Sequence, residues 1–317
     1  MKIKEFKGGS LSSTALHEED GKLFVRKEIS IIKNREYGFQ RWYSQLKRIQ
    51  RYNVLFPGSY PEILDFGIKG DRAFMDIEYI ESADSGIEFL KKVKTFDEVK
   101  LFFNELISVM DKIHETKIKS SKNPIKLYFQ EEVKQKIIDC KSNLFLNHYK
   151  KQKIVFNNIT IDALSTQLNE YGKMFESFYT NPIETFSHGN LTLENLVYNP
   201  DTNKITLIDV YEENIIDSKY ADYSQILQSC NSNYELYNES DNPDLISIPF
   251  GLKSFKKLFN EYLNNQLSKE ELIFTKLLEI SQFIRMLPFK DEIAPKKTIF
   301  FYNLASYRLH ELIGELK

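Results

Sequence analysis

His188-Gly189-Asn190 is followed five residues later by Asn195, and the chain then passes through a short hairpin to Asp209 at the end of an apolar strand. The runs Leu196-Val197-Tyr198 and Ile205-Thr206-Leu207-Ile208 flank the turn Asn199-Pro200-Asp201-Thr202-Asn203, whose residue types favour a tight reversal. Such a hairpin returns Asp209 to the neighbourhood of Asn195. One amide oxygen and one carboxylate converging on a point can hold magnesium, which needs few protein ligands when phosphate oxygens and waters complete its shell. A nucleoside triphosphate is the partner that such a pair suits.

The elements around this loop fall into two styles. From residue 1 to about 80 the chain alternates in short runs, Ile3 to Phe6, Leu23 to Ile29, Glu62 to Ile68 and Ala73 to Tyr79. Gly8-Gly9, Asp20-Gly21, Pro57-Gly58 and Lys69-Gly70-Asp71 break these runs, so they read as strands and turns. One helix interrupts them, about Arg35 to Arg51, with Phe39, Trp42, Tyr43, Leu46 and Ile49 at helical spacing. Beyond the polar segment Glu81 to Gly86, helical periodicity dominates. In Phe96 to His114 the residues Val99, Phe102, Phe103, Leu106, Val109, Met110 and Ile113 form one stripe. Residues 119 to 180 carry helical runs rich in lysine, asparagine and tyrosine, and Pro249 to Lys317 reads as several amphipathic helices. Strand signals return in this second part only between Asn195 and Asp209. The expected class is α+β, with an N-terminal lobe over 1–80 and a mainly helical C-terminal lobe over 81–317.

Length and composition set outer limits. A chain of 317 residues, 42% hydrophobic and 14% aromatic, can bury a sizeable core. Its 43 basic and 45 acidic residues leave a formal charge of -2, which offers no whole-protein attraction to nucleic acid or to an anionic membrane. Cys140 and Cys230 lack the paired spacing of a zinc site or a disulfide framework and read as buried, reduced thiols. No window reaches the roughly 18 apolar residues of a membrane span, and the N-terminus lacks a signal-peptide core. The expected location is cytoplasmic.

The run H-G-N-L-T-L-E-N followed by L-I-D resembles the aminoglycoside phosphotransferase and choline kinase group, small-molecule kinases of the protein-kinase-like superfamily, whose loop reads H-G-D-L-x-x-x-N ahead of a strand ending in I-D. The resemblance implies a two-lobed fold, a small N-terminal antiparallel sheet with one helix beside a larger helical lobe, and a requirement for ATP or GTP with Mg2+. By that resemblance Asn195 and Asp209 are the metal ligands, position 190 is catalytic, and His188 orients the loop. Asp222 matches the later aspartate that braces the loop through backbone hydrogen bonds, and His114 is a packing residue. Gly8-Gly9-Ser10 corresponds to the phosphate-covering turn. Phe24-Val25-Arg26-Lys27 is similar to the strand whose lysine meets the nucleotide phosphates, with Glu36 on the following helix as its partner. Ile77-Glu78-Tyr79-Ile80 is similar to the hinge, in which the backbone around Glu78 and Ile80 would meet the nucleobase. Taken singly, Gly8-Gly9 also reads as an ordinary hairpin turn, Lys27 as an exposed strand lysine and Glu36 as a helix-start charge. Their shared order along the chain joins them.

Asn190 stands where that pattern has aspartate. Its amide can still hydrogen-bond a hydroxyl but cannot take a proton, so the general-base contribution, typically about 10²–10⁴-fold, is lost. The expected function is a phosphotransferase acting on a hydroxyl of a small molecule or sugar, inactivated or slowed at this position. The alternative is a non-catalytic nucleotide-binding pseudokinase serving as scaffold or regulator. The intact Lys27, Asn195, Asp209 and Asp222 favour an active parent enzyme with a single change. The acceptor site is expected within 119–180, where lysines around 117–126 and 148–153 suit an acidic or phosphorylated acceptor better than a polycation.

Overall fold

The computed structural model describes residues 1–6, 12–32, 35–118, 124–179, 184–211, 214–240 and 246–317, apart from the side chains of 35–37. The chain is α+β. In order it runs β1 (Lys2–Phe6), β2 (Ser12–Glu19), β3 (Lys22–Ser30), α1 (Arg35–Leu55), β4 (Ile63–Lys69), β5 (Arg72–Glu78), β6 (Asp84–Ser85), α2 (Gly86–Lys92) and α3 (Phe96–His114). Then come α4 (Pro124–Tyr128), a π-helical turn Phe129–Lys134, α5 (Gln135–Asp139), α6 (Asn143–Tyr149), β7 (Lys153–Phe156), β8 (Ile159–Asp162) and α7 (Leu164–Phe178). A 3-10 turn Leu193–Asn195 leads into β9 (Leu196–Asn199) and β10 (Lys204–Leu207). The helices α8 (Lys219–Cys230), α9 (Tyr234–Glu239), α10 (Phe250–Gln266), α11 (Lys269–Arg285), α12 (Leu287–Ile293) and α13 (Pro295–Leu316) close the order.

The chain divides into two compact units, Met1–Ile113 with His188–Asn214, and His114–Ser187 with Ile215–Lys317. The first holds a five-stranded antiparallel sheet in the order β1-β2-β3-β5-β4. Four of its strands match the alternating runs. The fifth, β2, is Ser-Ser-Thr-Ala-Leu-His-Glu-Glu, whose only buried members are Ala15 and Leu16; it is a strand because β1 and β3 pair with it along both edges. The hairpin β9–β10 joins β6 in a second sheet. Tyr198 of β9 packs against Phe89 of α2 at 4.7 Å and Phe102 of α3 at 5.2 Å between ring centroids, which seats the hairpin on an aromatic cluster.

The second unit is mainly helical, but strands are not confined to the 195–209 hairpin as the pattern suggested. β7 and β8 form another, turning at Asn157 and Asn158, both left-handed with φ of 47° and 61°. Asparagine is among the few residues that enter this conformation readily. Ile154 and Ile161 are buried there with Ala163, and Phe156 packs on Tyr307. Cys140 and Cys230 are buried and free, as their spacing implied. Burial pushes the Cys140 thiol up to about 12 and that of Cys230 well above the ordinary range. No described helix is long and apolar enough to cross a membrane.

Candidate active site

Lys27 lies at the centre of β3, opposite Thr14 of β2 and Met75 of β5. Its ammonium is ion-paired with the Asp209 carboxylate and donates to Oε1 of Gln45 at 3.1 Å. Gln45 belongs to the buried stripe of α1, with Trp42, Leu46, Ile49 and Tyr52. Its Nε2 donates to the Val210 carbonyl at 2.8 Å. One amide thus joins the sheet lysine, the helix and the backbone directly after Asp209. A polar residue inside an otherwise apolar helical stripe is the signal that marks Gln45 in the sequence, and the motif-based reading passed over it. Glu36 stands in the first turn of α1, with its side chain outside the described residues; Gly8, Gly9 and Ser10 are also outside them.

The segment from His188 to Asp209 is built largely on backbone hydrogen bonds. Ile208 N–H donates to the Asn195 carbonyl at 2.9 Å, so the close of the hairpin leaves Asp209 one residue beyond Asn195's partner. Asp209 has a left-handed backbone, φ 59°, an uncommon state for a non-glycine residue that local contacts must hold. Asn195 Nδ2 donates to the Asn190 carbonyl at 2.8 Å, which also accepts from Thr192 N–H at 3.0 Å. Leu191 and Leu193 are fully buried and anchor the loop.

His188 is fully buried. One ring nitrogen, Nε2, lies 2.9 Å from the Ile208 carbonyl, and the other, Nδ1, lies 3.2 Å from the Asn190 N–H. A carbonyl only accepts and an N–H only donates, so the proton sits on Nε2 and the ring is neutral. Tyr60 stacks on it at 6.0 Å. Both ring nitrogens are thus engaged by the backbone. Asn190 Nδ2 donates to the Asp209 carbonyl at 3.3 Å, which leaves Oδ1 as the atom that could accept a hydrogen bond from a hydroxyl.

Gly189 has φ 77°, and a Cβ built on it would lie 2.1 Å from the Asn214 side chain. Left-handed backbone costs an L residue ~1–2 kcal/mol, and the overlap adds a further ~1–3 kcal/mol. Gly189→Ala is therefore expected to lower stability by about 3 kcal/mol in urea titration, and a loss under about 1 kcal/mol would show that the turn relaxes.

Glu78 ends β5, where its N–H donates to the Glu62 carbonyl at 2.9 Å and its carboxylate accepts from Glu62 N–H at 3.3 Å. Ile80 follows beyond the strand, half-buried. In the helical unit, His114 Nε2 and Asp222 Oδ2 are 2.9 Å apart and both groups are buried. Tyr223 meets the His114 ring edge-on.

No protein-family model and no curated protein matches the chain. Among solved structures, a mutant aminoglycoside 2'-phosphotransferase in complex with GDP matches with a TM-score of 0.64 at 12% identity, over 99% of this chain and 93% of that one. A spectinomycin phosphotransferase in complex with ADP and spectinomycin matches with a TM-score of 0.53 at 11% identity, over 98% and 93%. The chain adopts the aminoglycoside phosphotransferase fold. At such identities the likeness speaks for the fold.

Within this phosphotransferase fold the residues fit a divalent ion. Asn195 donates through Nδ2, which leaves its amide oxygen to ligate, and the hairpin register sets Asp209 next to it. Desolvation opposes ionisation of the Asp209 carboxyl, whose side chain keeps 46% exposure, but the Lys27 ammonium outweighs it and holds the group below its usual range. A group whose folded pKa is depressed stabilises above its unfolded pKa and loses that contribution as pH falls through the folded value. The melting-temperature gap between the wild type and Asp209→Asn is expected to narrow as pH drops below about 4. A gap constant from pH 7 to pH 2 would contradict the pairing.

Proposed function

We propose that this chain is a nucleotide-dependent phosphotransferase directed at a hydroxyl of a small molecule or sugar, with transfer slowed by Asn190. The observation that carries the reading is the convergence of Lys27, Asp209, Asn190 and Asn195 through one hydrogen-bonded network in one compact unit. In this reading Lys27 exchanges its carboxylate partner for phosphate oxygens, and Asn195 with Asp209 would hold Mg2+. The ion, when bound, would offset the charge on the phosphates. The chain's own part is placement. His188 and Gly189 set the loop path, and Asn190 Oδ1 can accept a hydrogen bond from the acceptor hydroxyl and fix its direction. It cannot carry the proton away, so the proton must leave to solvent or to phosphate. ATP and GTP are both admitted as donors.

One observation favours the second reading, a nucleotide-binding protein without turnover. The Asn190 amide donates to the Asp209 carbonyl, a bond that a carboxylate cannot make, so the loop accommodates asparagine as it stands. The two readings separate in one experiment. Asn190→Asp is assayed for phosphoryl transfer from ATP and GTP to a panel of sugars, amino alcohols and phosphorylated hydroxyl compounds. Transfer supports the enzyme; nucleotide-dependent thermal stabilisation without transfer supports the scaffold.

A further inference from the structure

The helical unit holds a cavity of about 230 Å3 bounded by the end of α8 and by α10, α11 and α13. Its charged lining is unequal. Glu279, Glu311 and Glu315 face Lys276 and Arg308. Lys276 is taken by Glu315 at 2.6 Å, which leaves one guanidinium for two carboxylates. Arg308 gives Nη1 to Glu311 at 2.7 Å, and only Nη2, at 3.3 and 3.4 Å, to the two oxygens of Glu279. Glu279 is 1% exposed, and its short contact, at 2.6 Å, is with the Ser232 hydroxyl, a neutral donor. Behind this wall Lys256 and Glu235 act on the Cys230 thiol with opposite signs and leave the balance unchanged. Asn231, the cap of the α8 C-terminus, belongs to the same wall, and a helix C-terminus adds partial negative charge.

A buried carboxylate is costly unless its charge is met. An ammonium ion on Glu311 would supply what is missing. It takes the place of Arg308 Nη1 and lets the guanidinium turn two nitrogens to Glu279, the bidentate form that suits a carboxylate. A bare metal ion would leave most of the volume to water, since one water occupies about 30 Å3. An apolar cavity of about 150 Å3 holds benzene, so this one has room for up to about ten heavy atoms. Ile280 and Leu312 offer an apolar wall to a short chain.

We propose that this cavity binds a small organic ammonium ion, its charge on Glu311 and its chain against Ile280 and Leu312, so that Arg308 is released to Glu279. The site lies wholly within the helical unit and does not rest on the phosphotransferase reading.

The test is calorimetric titration of the full chain with n-butylammonium chloride and, as its uncharged counterpart, n-butanol. The ammonium is expected to bind with a Kd of about 1 mM or tighter. The alcohol should bind at least about tenfold more weakly, one unit charge at ion-pair range being worth that factor. Glu311→Gln is expected to weaken the ammonium about tenfold, and Lys276→Met, which frees Glu315, to tighten it about threefold. Both side chains are partly exposed, so both variants are expected to fold. The wild-type comparison of ammonium with alcohol depends on neither. Ammonium binding weaker than about 10 mM, or equal affinity for ammonium and alcohol, would overturn the proposal. So would weaker binding by Lys276→Met. An unchanged Kd in Glu311→Gln would overturn it too, by placing the amine elsewhere, the acceptor site of the phosphotransferase reading included.

Discussion

Asn190→Asp is expected to raise the rate of phosphoryl transfer by about 10²–10⁴-fold, the range that a positioned general base contributes. The substitution keeps the side-chain shape and supplies a group that can accept the acceptor hydroxyl's proton. It also removes the donor that now meets the Asp209 carbonyl and places two oxygens face to face, so the new carboxylate must turn away from that carbonyl. Nucleotide affinity should fall modestly, because the change adds negative charge near the phosphates. Initial rates with labelled ATP and GTP, measured beside nucleotide affinity on the same preparation, separate the two effects. Unchanged transfer across the acceptor panel, with nucleotide still bound, would decide for the non-catalytic reading.

Asp222→Ala is expected to cost about 3–5 kcal/mol, the range for breaking a buried pair by removing one partner. The Asp222 side chain is only 1% exposed and that of His114 5%, so water cannot take the aspartate's place. The imidazole would lose the partner of Nε2 while its Nδ1 already lacks a hydrogen-bond partner among the described residues. Asp222→Asn keeps an acceptor of the same shape and should cost less, about 1–2 kcal/mol. Denaturant unfolding followed by circular dichroism gives both numbers. Equal losses for the two variants would mean that the charge, rather than the hydrogen bond, holds the pair. A loss under about 1 kcal/mol for alanine would mean that the helical unit repacks around His114.

Both predictions draw on residues already visible in the chain, and the reason is local. Asn195 and Asp209 are joined by a hairpin whose turn residues declare themselves, so their approach follows from strand register. His188 and Asn190 are hydrogen-bonded to Ile208 and Asp209 at the close of the same hairpin. Four strands of the first sheet show themselves by alternation. The fifth did not, because β2 buries little and takes its shape from the neighbours on both sides. The β7–β8 hairpin was hidden for a related reason: four-residue strands are too short for periodicity to separate from the helices around them, and only the paired Asn157 and Asn158 mark the turn.

The residues of the loop and their order along the chain are properties of the sequence by itself, since the spacing of His188, Asn190, Asn195 and Asp209 is bridged by short-range bonds. The identity of Lys27's partners is not. Gln45 reaches across 165 residues to the Val210 carbonyl, and Lys27 across 182 to Asp209. No local pattern encodes which of several polar side chains on α1 will meet a given strand lysine. That was settled by the rotation of the helix that buries Trp42, Leu46, Ile49 and Tyr52. Burying that apolar stripe carries Gln45 to Lys27, because side chains one turn apart on a helix share a face.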